Sequence, residues 1–211
     1  RGLGDVYKRQ VYDSRIMAGR ILAKDYPVDA DMVVGVPESG NVAALGYSLE
    51  SGIPYGIAFI KNSYVGRTFI KPKQSSRETS VRIKLNVLKE AVKGKRVIMI
   101  DDSIVRGTTS ARIVKMLKDA GASEVHVRIS SPPFMHPCYF GTDVPSDDQL
   151  IAHDHTVEQI CEYIGADSLG YLDVNKLGDM IEGRTDYCDA CFTGDYPITP
   201  PSDDIRGEYD K

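Results

Sequence analysis

The chain has 211 residues, 42% of them hydrophobic and 27% charged, with a formal net charge of -4. That length buries one good core, or one core with an appendage, and the composition is ordinary for a globular protein. A pI near 5.6 argues against broad binding to nucleic acid or an anionic membrane, and no apolar run suits a transmembrane span or signal peptide.

Arg1 to Gln10 shows no clear periodicity. From Tyr12 to Asp25 the apolar residues Ile16, Met17, Ile21 and Leu22 recur at helical spacing, and Pro27 stops the pattern. Met32 to Val36 is a short apolar run expected to be a buried strand, followed by the turn Pro37-Glu38-Ser39-Gly40. A helix capped by Asn41 should run to about Ser51, where Gly52 and Pro54 end it. Ile57 to Ile60 reads as the next strand. The segment from Lys61 to Lys84 is polar and basic, with seven Lys and Arg side chains including Lys61, Arg67 and Lys84. Leu85 to Val92 reads as a short helix ended by Gly94.

Val97 to Ile100 is an apolar, β-branched run closed by two acids, Asp101 and Asp102. A short loop, Ser103 to Gly107, leads into an amphipathic helix from about Thr108 to Asp119, with Gly121 at its end. Val125 to Ile129 is a further strand, closed by Pro132 and Pro133. Alternating strands and helices predict a parallel sheet with crossover helices, spanning about Asp29 to Ser131. Shorter helices are expected at Thr156 to Ile164 and Val174 to Met180. Ser202 to Lys211 is polar and acidic, a composition expected to stay disordered.

The strand-acid-acid-loop-helix stretch carries the most chemistry. Free N–H groups at a helix start attract phosphate, and the hydroxyls of Thr108, Thr109 and Ser110 add donors. Two adjacent carboxylates cannot hold a phosphate, so Asp101 and Asp102 are expected to accept from sugar hydroxyls or to order Mg2+. Burying neighbouring carboxylates costs several kcal/mol unless a cation or donors compensate. The loop at 36–41 follows a second strand end, where its small residues let backbone N–H groups approach another anion. For residues 61–84, a lid over a leaving group and a solvated basic hairpin weigh equally by residue type, and the adjacent phosphate loops favour the lid. Cys188 and Cys191 have metal-ligand spacing, which Cys138 could join; by spacing alone zinc is slightly favoured, and free thiols are the plain alternative. Cys161 reads as a buried structural thiol, and the four histidines as structural. With nothing to suggest secretion, the cysteines imply cytoplasmic residence.

Val97 to Ser110 resembles the 5-phosphoribosyl-1-pyrophosphate (PRPP) motif of type I phosphoribosyltransferases. The resemblance sharpens when Gly-Val-Pro-Glu-Ser-Gly-Asn (35–41), Lys-Asn-Ser-Tyr-Val-Gly-Arg-Thr-Phe-Ile (61–70), Arg-Ile-Ser-Ser-Pro-Pro (128–133), His-Pro-Cys (136–138) and Cys-Asp-Ala-Cys-Phe-Thr-Gly (188–194) are taken in order. Over about Val11 to Pro197 the chain is similar to the amidophosphoribosyltransferase family, the glutamine-PRPP amidotransferases of purine synthesis. Ser63 stands where the family commonly has arginine.

That resemblance implies an α/β type I phosphoribosyltransferase fold: a parallel sheet flanked by helices, with a small C-terminal appendage. The core would span 11–137 and a helical, cysteine-bearing appendage 138–200, between a non-native leader (1–10) and a disordered tail (201–211). The implied activity is the ribosyl-transfer half of the reaction, giving 5-phosphoribosylamine from PRPP and ammonia. PRPP would be held by Glu38, Ser39, Gly40, Asp101, Asp102, Ser103, Arg106, Gly107, Thr108, Thr109 and Ser110, and Mg2+ by Ser39, Asp101 and Asp102. Lys61, Tyr64 and Arg67 would belong to the lid. In the iron-sulfur branch of the family, Cys138, Cys188 and Cys191 would hold a 4Fe-4S cluster whose fourth thiolate lies outside this chain. The family's glutaminase domain is absent from this sequence, so glutamine-dependent activity is expected to be missing. Homo-oligomers, with purine nucleotides as feedback inhibitors, are the implied partners. The alternatives are another PRPP enzyme, such as a base-salvage phosphoribosyltransferase, and a PRPP-binding regulator. The cysteine segments argue against the first, and the complete set of acids, loop and lid against the second.

Overall fold

The computed structural model describes residues 11–61, 85–140, 146–181, 183 and 187–200. Helix α1 (Val11–Asp25) precedes β1 (Met32–Gly35), α2 (Asn41–Ser51) and the short strands β2 (Phe59–Lys61) and β3 (Leu85–Val87). Then come α3 (Lys89–Val92), β4 (Arg96–Asp101), α4 (Thr108–Asp119) and β5 (Glu124–Ile129). The chain continues through α5 (Ile151–Asp154), α6 (Val157–Ile164) and β6 (Ser168–Tyr171) to α7 (Ala190–Thr193). Among these residues no helix is long and apolar enough to cross a membrane.

The main sheet runs β1-β4-β5-β6, every pair parallel, with Val33 opposite Ile98 and Met99 opposite Val127. Successive side chains on a strand point to opposite faces, and the apolar runs use both. Val33, Ile98 and Ile100 pack with Leu22, Ala43 and Tyr47 under α1 and α2. Val34, Val97 and Met99 pack with Val114, Leu117, Ile160 and Ile164 under α4 and α6. A sheet covered on both faces explains why its strands are continuous apolar runs.

Four expectations need correcting. The Ile57–Ile60 run does not extend the parallel sheet: β2 pairs antiparallel with β3, Phe59 opposite Val87. Ala58 and Phe59 are buried whereas Ile57 and Ile60 stay exposed, so only the middle of the run reaches the core. Leu85 to Val92 is not one helix, because Leu85–Val87 is drawn into that pairing and only Lys89–Val92 coils. Val174 to Met180 forms two short 3-10 turns, at Val174–Lys176 and Gly178–Ile181. Asn41 is the first residue of α2 rather than its cap, which is Gly40.

The sheet takes its fourth strand from beyond residue 137. Ser168-Leu169-Gly170-Tyr171 is only four residues long with a glycine inside it, and its register comes from β5, with Arg128 opposite Gly170 and Ile129 opposite Tyr171. Helix α6 leads into it from a reciprocal capping box: Gln159 N–H donates to Thr156 Oγ1 and Thr156 N–H to Gln159 Oε1. On β5 the polar residues His126 and Arg128 alternate with Val125, Val127 and Ile129, yet both are buried. Arg128 donates to the carbonyls of Tyr26 (3.3 Å) and Val127 (2.8 Å) and to Ser168 Oγ (3.0 Å), with its guanidinium 5.7 Å from the Tyr26 ring centre. Burial pulls its pKa below the usual arginine value.

Candidate functional site

The carboxyl ends of β1 and β4 lie side by side, and each opens into a tight loop. After β1, Val36 N–H donates to Ile100 O (2.8 Å) and Gly40 N–H to Val36 O (2.9 Å), folding residues 37–40 back over β4. The Pro37-Glu38 peptide in this turn is cis. A Cβ on Gly40 would lie 2.2 Å from Ile100 O, so only glycine lets the loop seat against the strand. Glu38 is exposed and pairs with Lys61 at the end of β2, Nζ to Oε1 3.2 Å. That contact brings the first residue of the basic segment to this loop. Tyr64 and Arg67 lie outside the described residues.

At the end of β4, Asp101 is buried, 7% exposed, whereas Asp102 faces solvent. Asp102 N–H donates to Asp101 Oδ1 at 2.8 Å, and Ser103 Oγ donates to Asp102 Oδ1 at 3.2 Å. Burial, reinforced by the neighbouring Asp102, pushes the Asp101 carboxyl up to about 7. The loop then turns through Gly107, at φ 76°, into α4. No side chain caps α4, so the N–H groups of its first turn are left for an anion.

These parts enclose one cavity of about 540 Å³, lined by Val36, Asp101, Asp102, Ser103, Val105, Arg106, Gly107, Thr108, Thr109 and Ile113. The sequence placed Asp101, Asp102, Ser103 and Arg106 to Thr109 together, and all of them line this one space. Ser110 is buried in the first turn and is not on the wall; Glu38, Ser39 and Gly40 adjoin it through Val36. One wall offers hard carboxylate oxygens and the other N–H and O–H donors. Such a space suits a molecule with hydroxyls at one end and a phosphate at the other. Two adjacent carboxylates, when ionised, also supply the hard oxygen donors that a divalent cation takes. Sequence reasoning missed Gln149, which accepts a hydrogen bond from Arg106 across 43 residues; no local signal marks it.

The cysteines lie elsewhere. Cys138 and Cys191 pack beside Phe134, Leu150 and Phe192, and burial with the nearby Cys138 and Cys188 pushes the Cys191 thiol up to about 11. Among the described residues, however, no group of three or more His, Cys, Asp or Glu side chains is arranged to hold a metal ion. The thiols are neighbours without completing a cluster site. Cys161, expected to be buried, is half-buried and donates to Ala166 O at 3.4 Å. His153 and His155 bond to the carbonyls of Met135 and Ile151, and His126 sits between Glu124 and Ser168.

Residues 10–130 match the model of the phosphoribosyl transferase domain. The amidophosphoribosyltransferase of Archaeoglobus fulgidus is 55% identical over 199 residues, 93% of this chain and 44% of that protein. Amidophosphoribosyltransferase 2, chloroplastic, of Arabidopsis thaliana is 48% identical over 202 residues, 95% of this chain and 36% of its own length. Among solved structures, the glutamine PRPP amidotransferase from B. subtilis, complexed with ADP and GMP, superposes with a TM-score of 0.81. It is 52% identical, and the match covers 92% of this chain and 44% of that one. The chain thus spans less than half the length of these relatives.

Proposed function

The chain belongs to the phosphoribosyl transferase domain family, and we propose that it performs the ribosyl-transfer half of an amidophosphoribosyltransferase. In that reaction the C1–O bond of PRPP breaks, pyrophosphate leaves, and the nitrogen of ammonia bonds to C1, giving 5-phosphoribosylamine and releasing a proton. One observation carries the reading: paired carboxylates and an uncapped helix start face each other across a single cavity.

In this mechanism the chain's residues position and stabilise charge. The N–H groups and hydroxyls at Thr108 and Thr109 take the 5-phosphate, with Gly107 allowing the backbone to approach. Asp101 and Asp102 accept from the ribose hydroxyls, and their negative charge favours the cationic, oxocarbenium-like C1 of the transition state. The 37–40 turn receives the departing pyrophosphate, and Lys61, released from Glu38, is placed to follow it. Mg2+, held by Asp101, Asp102 and Ser39, would neutralise charge on the leaving group. No covalent nucleophile is required, and orientation does most of the work.

Ammonia would come from a glutaminase unit. Purine nucleotides, which the named B. subtilis complex contains as ADP and GMP, are the proposed feedback ligands. The iron-sulfur reading rests on the resemblance at Cys138, Cys188 and Cys191 and carries no step of the chemistry. Anaerobic reconstitution with iron and sulfide is expected to give a brown protein with broad visible absorption, which the C188S/C191S variant loses. A colourless wild type would remove the cluster from this chain.

The test of the activity is direct. With PRPP, Mg2+ and ammonium, the folded chain should release pyrophosphate in proportion to phosphoribosylamine formed. Release with a purine or pyrimidine base but none with ammonium would instead make it a salvage enzyme. PRPP binding with no turnover by any acceptor would make it a regulator.

A further inference from the structure

The Ser130-Ser131 step, just beyond β5, has no part in the chemistry above, yet it holds the end of β4. The register of β4 with β1 stops at Ile100, one residue short of Asp101, whereas its register with β5 continues to Asp101. There Asp101 O accepts twice from Ser130, from the N–H at 3.0 Å and from Oγ at 3.2 Å. A carbonyl has two lone pairs, so both bonds fit. Ser131 does not repeat the contact: its Oγ donates to Pro132 O at 3.0 Å.

The carbonyl that Ser130 grips belongs to the peptide joining Asp101 to Asp102. The N–H of that same peptide donates back to Asp101 Oδ1 at 2.8 Å. A peptide is planar, so its oxygen and its N–H turn together. Fixing the oxygen from β5 therefore fixes the direction of the N–H, and the N–H in turn sets the carboxylate of Asp101. Asp102 departs from the same plane, so the direction of its side chain follows as well. Without the hydroxyl, Ser130 N–H still holds the strand end, but the peptide gains freedom to rock about that single bond.

We propose that Ser130 is a positioning residue for sugar recognition: through the Asp101–Asp102 peptide, its hydroxyl aims the paired carboxylates at the ribose hydroxyls. The inference rests on the PRPP reading of the cavity and gives the turn after β5 a share in pentose selectivity. Carboxylates held in direction accept from sugar hydroxyls at good angles, and hydrogen bonds weaken steeply once the angle is lost. The phosphate end of the cavity, at Thr108 and Thr109, lies outside this linkage.

The experiment compares two sugars by calorimetry with Mg2+ present: ribose 5-phosphate, and 2-deoxyribose 5-phosphate, which keeps the phosphate and lacks one hydroxyl. Wild type should bind ribose 5-phosphate about tenfold more tightly, the scale of one hydrogen bond to a charged group. Equal binding of the two, or none, would remove the PRPP reading itself. In Ser130→Ala, ribose 5-phosphate affinity should fall about fivefold while 2-deoxyribose 5-phosphate stays within about twofold of wild type, so most of the preference disappears. Ser130→Thr keeps the hydroxyl and should retain the full preference, and Ser131→Ala should match wild type. Each variant keeps the bond from the residue 130 N–H and the β4–β5 ladder, so all should fold. A structural role alone would weaken both sugars equally; that result, or an unchanged preference in Ser130→Ala, would overturn the assignment. So would a lost preference in Ser130→Thr or Ser131→Ala, which would trace the effect to packing of the turn rather than to the Ser130 hydroxyl.

Discussion

Gly40→Ala should abolish measurable PRPP binding and destabilise the fold by about 3 kcal/mol, at the upper end of what overpacking costs. The new methyl carbon would stand 2.2 Å from Ile100 O and 2.9 Å from Val36 N. Both are backbone atoms, and they are already bonded to one another at 2.8 Å, so no flexible side chain can move aside. Relief requires either the 37–40 turn to lift away or the ends of β1 and β4 to part. Ile100 immediately precedes Asp101, so the second route displaces the carboxylate with the strand, and the first withdraws the proposed pyrophosphate turn. For a chain of this size the stability loss should appear as a fall in melting temperature of roughly 5–10 °C. An unchanged melting temperature together with wild-type PRPP affinity would show that the turn yields where the packing says it cannot.

Asp101→Asn should produce the opposite pairing of effects: no turnover, but a more stable ligand-free protein, by about 1–3 kcal/mol near pH 8. Burial and the adjacent Asp102 raise the Asp101 carboxyl from 3.8 to about 7. The folded protein thus holds this proton more tightly than the unfolded chain. The group's contribution is most favourable below pH 4, declines as pH rises from about 4 to about 7, and is a constant penalty above that. Asparagine carries no charge at any of these pH values, and its carbonyl can still accept from Asp102 N–H. The stability advantage of the variant over wild type should therefore grow between pH 4 and 7 and then level off in denaturant titrations without Mg2+. A variant less stable than wild type at pH 8 would mean that the carboxylate is compensated by contacts other than those described. A buried carboxylate that costs the ligand-free fold stability is the pattern expected at an active site.

How much of this was legible in the chain depends on the range of each interaction. The signature helix runs Thr108–Asp119 as read, because its periodicity, its hydroxyl-rich start and the glycine before it act within a few residues. β4 and its closing acids were equally plain, since four consecutive apolar residues ending in two carboxylates have few other uses. Helices α1, α2 and α6 followed for the same reason. By contrast, β2 and β3 were misassigned because neither has a preference strong enough to name its partner. β6 went unseen because Ser168 to Tyr171 becomes a strand only beside β5, with Tyr26 against Gly170.

The sequence by itself determined the chemistry at the end of β4: which residues carry negative charge, which carry donors, and that a helix begins between them. Only the tertiary structure decided that Asp101 is buried while Asp102 is exposed, that Gly40 folds against Ile100, and that Gln149 reaches Arg106. Local conformational preference is written in neighbouring residues, whereas burial and long-range hydrogen bonds exist only once chain segments far apart have paid the entropy of meeting.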